Sequence, residues 1–98
     1  MARATATYRI NPEMADVLRA KLLRLIFRGE SVIGRYGRRG HLAGSFRDGR
    51  LTATMRDERH EVQITLTFDE SLRTFSGLYA GGGVQQTLTG ELVARRKS

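Results

Sequence analysis

Four times along this chain a glycine is flanked, two residues away on either side, by large apolar residues. The segments are Val32-Ile33-Gly34-Arg35-Tyr36, Leu42-Ala43-Gly44-Ser45-Phe46, Phe75-Ser76-Gly77-Leu78-Tyr79 and Leu88-Thr89-Gly90-Glu91-Leu92. Side chains alternate faces along a strand, so each glycine and its two apolar flanks point the same way. A mid-strand glycine weakens a strand unless sharp coiling, a bulge or the close approach of another backbone requires it. Four at the same relative place predict a small, tightly curved antiparallel sheet.

From residue 30 onward the period is two, with strands expected at 30–37, 41–47, 50–56, 61–68, 74–80 and 86–94. Leu51, Ala53 and Met55 share one face, as do Val62, Ile64, Leu66 and Phe68, while Thr52, Thr54, Thr65 and Thr67 supply the other. Asp48-Gly49 between Arg47 and Arg50 favours a primed hairpin turn. With every link this short, a meander is the simplest topology. Upstream, Asn11 is a good N-cap, Pro12 suits the first helical position, and Glu13 and Asp16 complement the dipole. Arg24 and Arg28 suit the other end and Gly29 is a natural stop, so these signals predict a helix over 12–28. Its main apolar face is Met14, Ala15, Leu18, Leu22, Leu25 and Ile26, and Leu23 with Phe27 forms a second patch. The fold expected is a single α+β domain over 1–98. Its helix (about 12–28) packs on a curved meander of about six strands over 30–94, a small barrel or half-barrel. Residues 1–10 read as an arm or edge strand and 95–98 as a disordered tail.

Ninety-eight residues are just enough for one core without staples. The absence of cysteine excludes disulfides, thiol nucleophiles and cysteine–zinc sites. No apolar run approaches a membrane span, and the N-terminus lacks the apolar stretch of a signal peptide, so a cytoplasmic protein without integral membrane association is expected. His41 and His60 are not spaced as a metal-binding pair, and no metal or other cofactor is expected. Asp57, Glu58, Glu61, Asp69 and Glu70 fall at turns, outside any pattern that would pair two carboxylates in a cleft. The expectation is a protein that binds and does not catalyse.

Charge is unevenly spread. Residues 1–50 hold eleven basic side chains against four acidic ones and residues 51–98 hold six of each, so the net +7 resides in the first half. Fifteen of the seventeen basic residues are arginine, whose planar fork suits phosphate and carboxylate. The segment Gly34-Arg35-Tyr36-Gly37-Arg38-Arg39-Gly40 interleaves arginine, glycine and an aromatic, as backbone-contacting, base-stacking segments do, and reads also as a glycine-rich hairpin loop with solvated arginines and Tyr36 in the core. Lys21, Arg24, Arg28, Arg35, Arg38 and Arg39 are therefore the candidate residues for binding nucleic acid or another polyanion.

The apolar-x-Gly-x-aromatic strands at Gly34 to Tyr36, Gly44 to Phe46 and Gly77 to Tyr79, with Asp48-Gly49 as hairpin, resemble segments of calycin-type barrels, the lipocalin and avidin architecture. The resemblance implies either a barrel plugged by the helix or a half-barrel completed by a second copy. Three functions follow from the whole reading. The first is a non-enzymatic interaction module, a homodimer joined through Leu23, Phe27 and an exposed sheet edge. The second is a nucleic-acid-binding protein using the six basic residues. The third is a carrier of a small apolar ligand, with Phe46, Met55, Phe68, Phe75 and Tyr79 lining a pocket between helix and sheet, the alternative being that these side chains simply fill the core.

Overall fold

The computed structural model describes residues 3–58, 60–81 and 83–97. Along the chain run β1 (Ala4–Ile10), α1 (Pro12–Leu18), β2 (Leu22–Arg28), β3 (Ser31–Tyr36), β4 (Gly40–Arg47), β5 (Arg50–Arg56), β6 (Glu61–Phe68), β7 (Thr74–Gly81) and β8 (Val84–Lys97). Each strand pairs antiparallel with its successor, and β1 pairs with β8, closing the sheet into a barrel of eight strands. The expected curved antiparallel barrel is present, but it is mainly β, with eight strands where six were expected. No helix among the described residues is long and apolar enough to cross a membrane.

The inward glycines show why the sheet can curve so tightly. A Cβ at Gly34 would lie 2.6 Å from the Arg24 carbonyl oxygen of β2. One at Gly44 would run into the Thr52 carbonyl and Ala53 Cα of β5, and one at Gly77 into the Thr65 carbonyl of β6. At these points the neighbouring backbone occupies the space a side chain would need. The 47–50 turn is primed as expected, with positive φ at both Asp48 (53°) and Gly49 (78°).

The predicted helix over 12–28 is corrected to seven residues. Arg19 adopts the left-handed conformation (φ 54°) and its N–H donates to the Ala15 carbonyl, which ends α1. Residues 22–28 then form a strand bonded on both sides, facing β1 and β3. Leu23, Leu25 and Phe27 turn inward, whereas Leu22, Arg24 and Arg28 stay exposed. Helix propensities differ by no more than about 0.7 kcal/mol per ordinary residue. Fully burying a leucine contributes about 1.5–3 kcal/mol, so two leucines gaining full burial outweigh the helical preference of the segment. Leu23 is buried completely and Phe27 packs against Phe46 and Phe68, so neither forms the exposed patch expected of a dimer interface. The open sheet edge expected to join two copies is likewise absent, because β1 and β8 cover each other.

The supposed arm and tail close the barrel. Ala4 to Ile10 form β1, and Arg95 and Arg96 pair with Ala6 and Thr5. Ser98 and residues 1–2 lie outside the described residues. The first half of β8 pairs with β7 and the second half with β1, with Gly90 and Glu91 shared. A bulge inserts Val93 opposite the Thr7/Tyr8 step and bends the strand.

Inside, Tyr8, Phe27, Phe46, Phe68 and Phe75 pack mostly edge-to-face at the end away from α1, with ring centroids 5.1–6.2 Å apart. The Tyr8 hydroxyl donates to the Leu72 carbonyl at 2.7 Å. That loop is tied by Asp69, which accepts from the Thr74 and Arg73 backbone N–H groups and from the Ser71 hydroxyl. The Thr74 and Ser71 bonds, in that order, hold its carboxyl below the usual range. Met14 of α1 is fully buried at the opposite end.

Adding one methyl at Gly44 should therefore destabilise the barrel. Gly44→Ala is expected to lower unfolding free energy in urea by about 1–3 kcal/mol through overpacking against β5. The exposed neighbour Ala43→Ser should change it by less than about 0.5 kcal/mol. Equal effects at the two positions would contradict this account of the curvature.

Candidate functional site

Four short turns set the register of the outer wall from β2 to β6. Arg24 on β2 stands opposite Arg35 on β3, Arg35 opposite His41 on β4, His41 opposite Arg56 on β5, and Arg56 opposite Glu61 on β6. All five side chains are exposed. Strands lie about 4.8 Å apart, so the four basic groups form a row on the order of 14 Å long across the strands. Arg56 is bonded to Glu61 at 2.9 Å. Arg24, Arg35 and His41 make no ion pair among the described residues. Like charges directly opposite one another destabilise a sheet, so folding alone gives no reason for such a row.

Of the six basic residues expected to act together, Arg24 and Arg35 are joined as cross-strand partners. Lys21, Arg38 and Arg39 stand at the α1 end, just above the row. The turn carrying Arg38 and Arg39 lies beside α1's exit: a Cβ on Gly37 would lie 3.5 Å from the Arg19 carbonyl oxygen. Arg39 is ion-paired with Glu58. Arg28 is set apart, at the far end of β2. Of the two readings of this segment, the hairpin loop with Tyr36 in the core is the one present: Tyr36 points into the barrel and is only 5 % exposed, so it stacks on no base. His41 and Arg56 complete the row but were not among the expected site residues. They join it through strand register, which a list of basic residues does not contain.

Below the row, Ile26 and Ile33 form an outward cross-strand pair, with Ile33 50 % exposed. Elsewhere on the wall a polar groove of about 620 Å³ is lined by Ser45, Arg47, Arg50, Thr52 and Thr67, with Glu30 bonded to Arg47.

Among the described residues the five side chains of the carrier reading line no single cavity; they belong to the core or pack against it, the alternative the sequence left open. Phe46, Phe68 and Phe75 belong to the ring cluster at one end, whereas Met55 is fully buried and Tyr79 half-buried near the other. Met55 and Tyr79 instead meet Tyr36, Asp57 and His60 at the α1 end. There the His60 backbone N–H donates to Asp57 Oδ1 at 2.7 Å, and His60 Nδ1 lies 3.6 Å from the same oxygen. Burial first, then the Asp57 charge, raises the pKa of both tyrosines, Tyr36 to about 12. Tyr8 is also pushed up to about 12, chiefly by burial. Among the described residues no group of three or more histidine, aspartate or glutamate side chains is arranged to hold a metal.

No protein-family model matches the chain, and comparison with curated proteins and with solved structures finds no similar protein.

The tyrosines give a direct check on the interior. An unfolded tyrosine ionises near 10. In the native protein, phenolate absorbance should appear late, with Tyr8 and Tyr36 ionising at about 12. Because the folded values are raised, the stability they contribute is complete below the unfolded pKa and is lost as pH climbs through the folded one. Native titration of all three tyrosines near 10 would contradict their placement.

Proposed function

We propose that this protein is a binding module, not an enzyme, and that its outer wall holds the phosphate backbone of nucleic acid. The observation that carries the reading is the row Arg24–Arg35–His41–Arg56. Arg24 and Arg35, directly opposite one another, lack an acidic partner among the described residues, an arrangement unfavourable until an anion neutralises it. Arginine donors on a rigid sheet can form bidentate bonds to phosphate without first ordering a loop. Lys21 and Arg38 extend the positive surface towards the α1 end, and the net charge of +7 favours encounter with any polyanion. Resemblance to calycin-type barrels stays a proposal beside this one, since eight strands in up-and-down order are common to many closed antiparallel barrels.

Among the described residues the wall offers no recognition helix and no exposed aromatic platform along the row. Binding by this surface is therefore indifferent to sequence and dominated by counterion release.

Fluorescence anisotropy with labelled duplex and single-stranded DNA across a salt series tests the proposal. Three or four phosphate contacts give a log–log slope of about −3 to −4 on duplex, and a smaller one on single strands. The double variant Arg24→Ser/Arg35→Ser should weaken binding uniformly across sequences and reduce the duplex slope by about 2. Arg28→Ser, far down the same strand, should leave the slope near that of the parent. No binding at low salt, or an unchanged slope in the double variant, would remove the proposal.

A further inference from the structure

The two ends of the barrel are finished differently. Away from α1, five rings pack on one another and the Tyr8 hydroxyl is bonded to a backbone carbonyl. At the α1 end, Tyr36 and Tyr79 make no ring–ring contact, and their hydroxyls have no hydrogen-bond partner among the described residues. Between them lies a cleft of about 230 Å³. Its floor is apolar, formed by Leu18, Met55 and Val62. At its rim α1 presents Val17, which is 47 % exposed, and the turn after β5 presents the Asp57–His60 pair.

We propose that this mouth binds a small aromatic molecule with an N–H donor, neutral or positively charged, about the size of indole. The volume sets the size. A 150 Å³ apolar cavity holds benzene, so this cleft takes a ring system about half as large again. It is below the roughly 300 Å³ at which drug-sized pockets begin, which excludes nucleotides and long acyl chains. Two tyrosine rings offer faces and edges to a third ring, and the Met55 thioether adds a polarisable contact. The packed interior stops the ligand from going deeper.

The hydrogen-bond inventory sets the ligand's polarity. Gln86 stands opposite Tyr79 on β8, and its amide oxygen is buried with no partner among the described residues. A ligand N–H supplies a donor that this acceptor can take. The Asp57 carboxylate stands at the mouth, which disfavours an anionic ligand and favours a cation over a tyrosine face. The inference concerns the mouth alone and does not depend on how the outer wall functions.

Tryptamine, indole and indole-3-acetate share a ring system and differ in charge, so they separate the terms of this proposal. In amide NMR titrations of the full chain, tryptamine and indole should give saturable shifts centred on Tyr36, Asp57 and Tyr79. Indole-3-acetate should bind at least about tenfold more weakly than tryptamine, one charge at the mouth accounting for the difference. Val17→Trp fills the mouth from an exposed position and should abolish the shifts while preserving the spectrum of the barrel. Tyr79→Phe tests the hydroxyl with the ring retained and should weaken indole severalfold. The proposal is overturned if neither indole nor tryptamine saturates at millimolar concentration. Tighter binding of the acetate, or tryptamine binding unchanged in a folded Val17→Trp protein, would overturn it equally.

Discussion

The strands of this barrel approach one another so closely that backbone fills the space a side chain would occupy at Gly34, Gly44 and Gly77, and the rest of the molecule depends on that approach. Side chains at these positions would hold neighbouring strands apart and flatten the sheet. Without them eight strands close within a short chain, and the enclosed space is narrow enough to be filled by the chain's own apolar residues. With the interior packed by these side chains, the surface open to contact lies on the wall and at the ends. The basic row occupies the wall and the tyrosine mouth one end.

The ends differ because their polar groups are handled differently. At the far end the tyrosine hydroxyl finds a carbonyl, and Asp69 fixes the loop that presents it. At the α1 end a short helix caps the barrel through Met14 and is anchored by Asn11, whose side chain bonds β8 at Thr87 and Thr89. That anchor lies at the start of the helix, and its other end, with Val17 and Leu18, reaches over the tyrosines.

Where periodicity was the signal, the sequence was readable: Val62, Ile64, Leu66 and Phe68 alternate inward as expected, and Asp48-Gly49 makes the primed turn. Residues 22–28 misled because leucine and arginine suit a helix and a helix does begin at Pro12, although the Asn11 side chain bonds β8 and makes no capping bond. The second apolar patch on the supposed helix was already a sign of the other answer. Leu23, Leu25 and Phe27 have strand spacing, and burial inside a closing sheet outweighs local preference. The basic tail at Arg95 and Arg96 carries no local strand signal, since its pairing comes from β1 at the opposite end of the sequence. The same holds for the candidate site. Arg24 and Arg35 were visible as residues, but the row they form with His41 and Arg56 exists only across four strands in register.

Seven of the eight strand pairings join neighbours in sequence and can form as each hairpin is completed. The eighth joins Ala4 to Lys97 and must wait for nearly the whole chain. Contacts this distant in sequence slow folding. Until β8 docks, β1 and β7 each carry a bare edge able to pair with another chain. The same pairing that leaves the mature barrel without an exposed edge thus places its period of greatest exposure to aggregation at the last step of folding. During synthesis, that step comes only after β8 has cleared the ribosome.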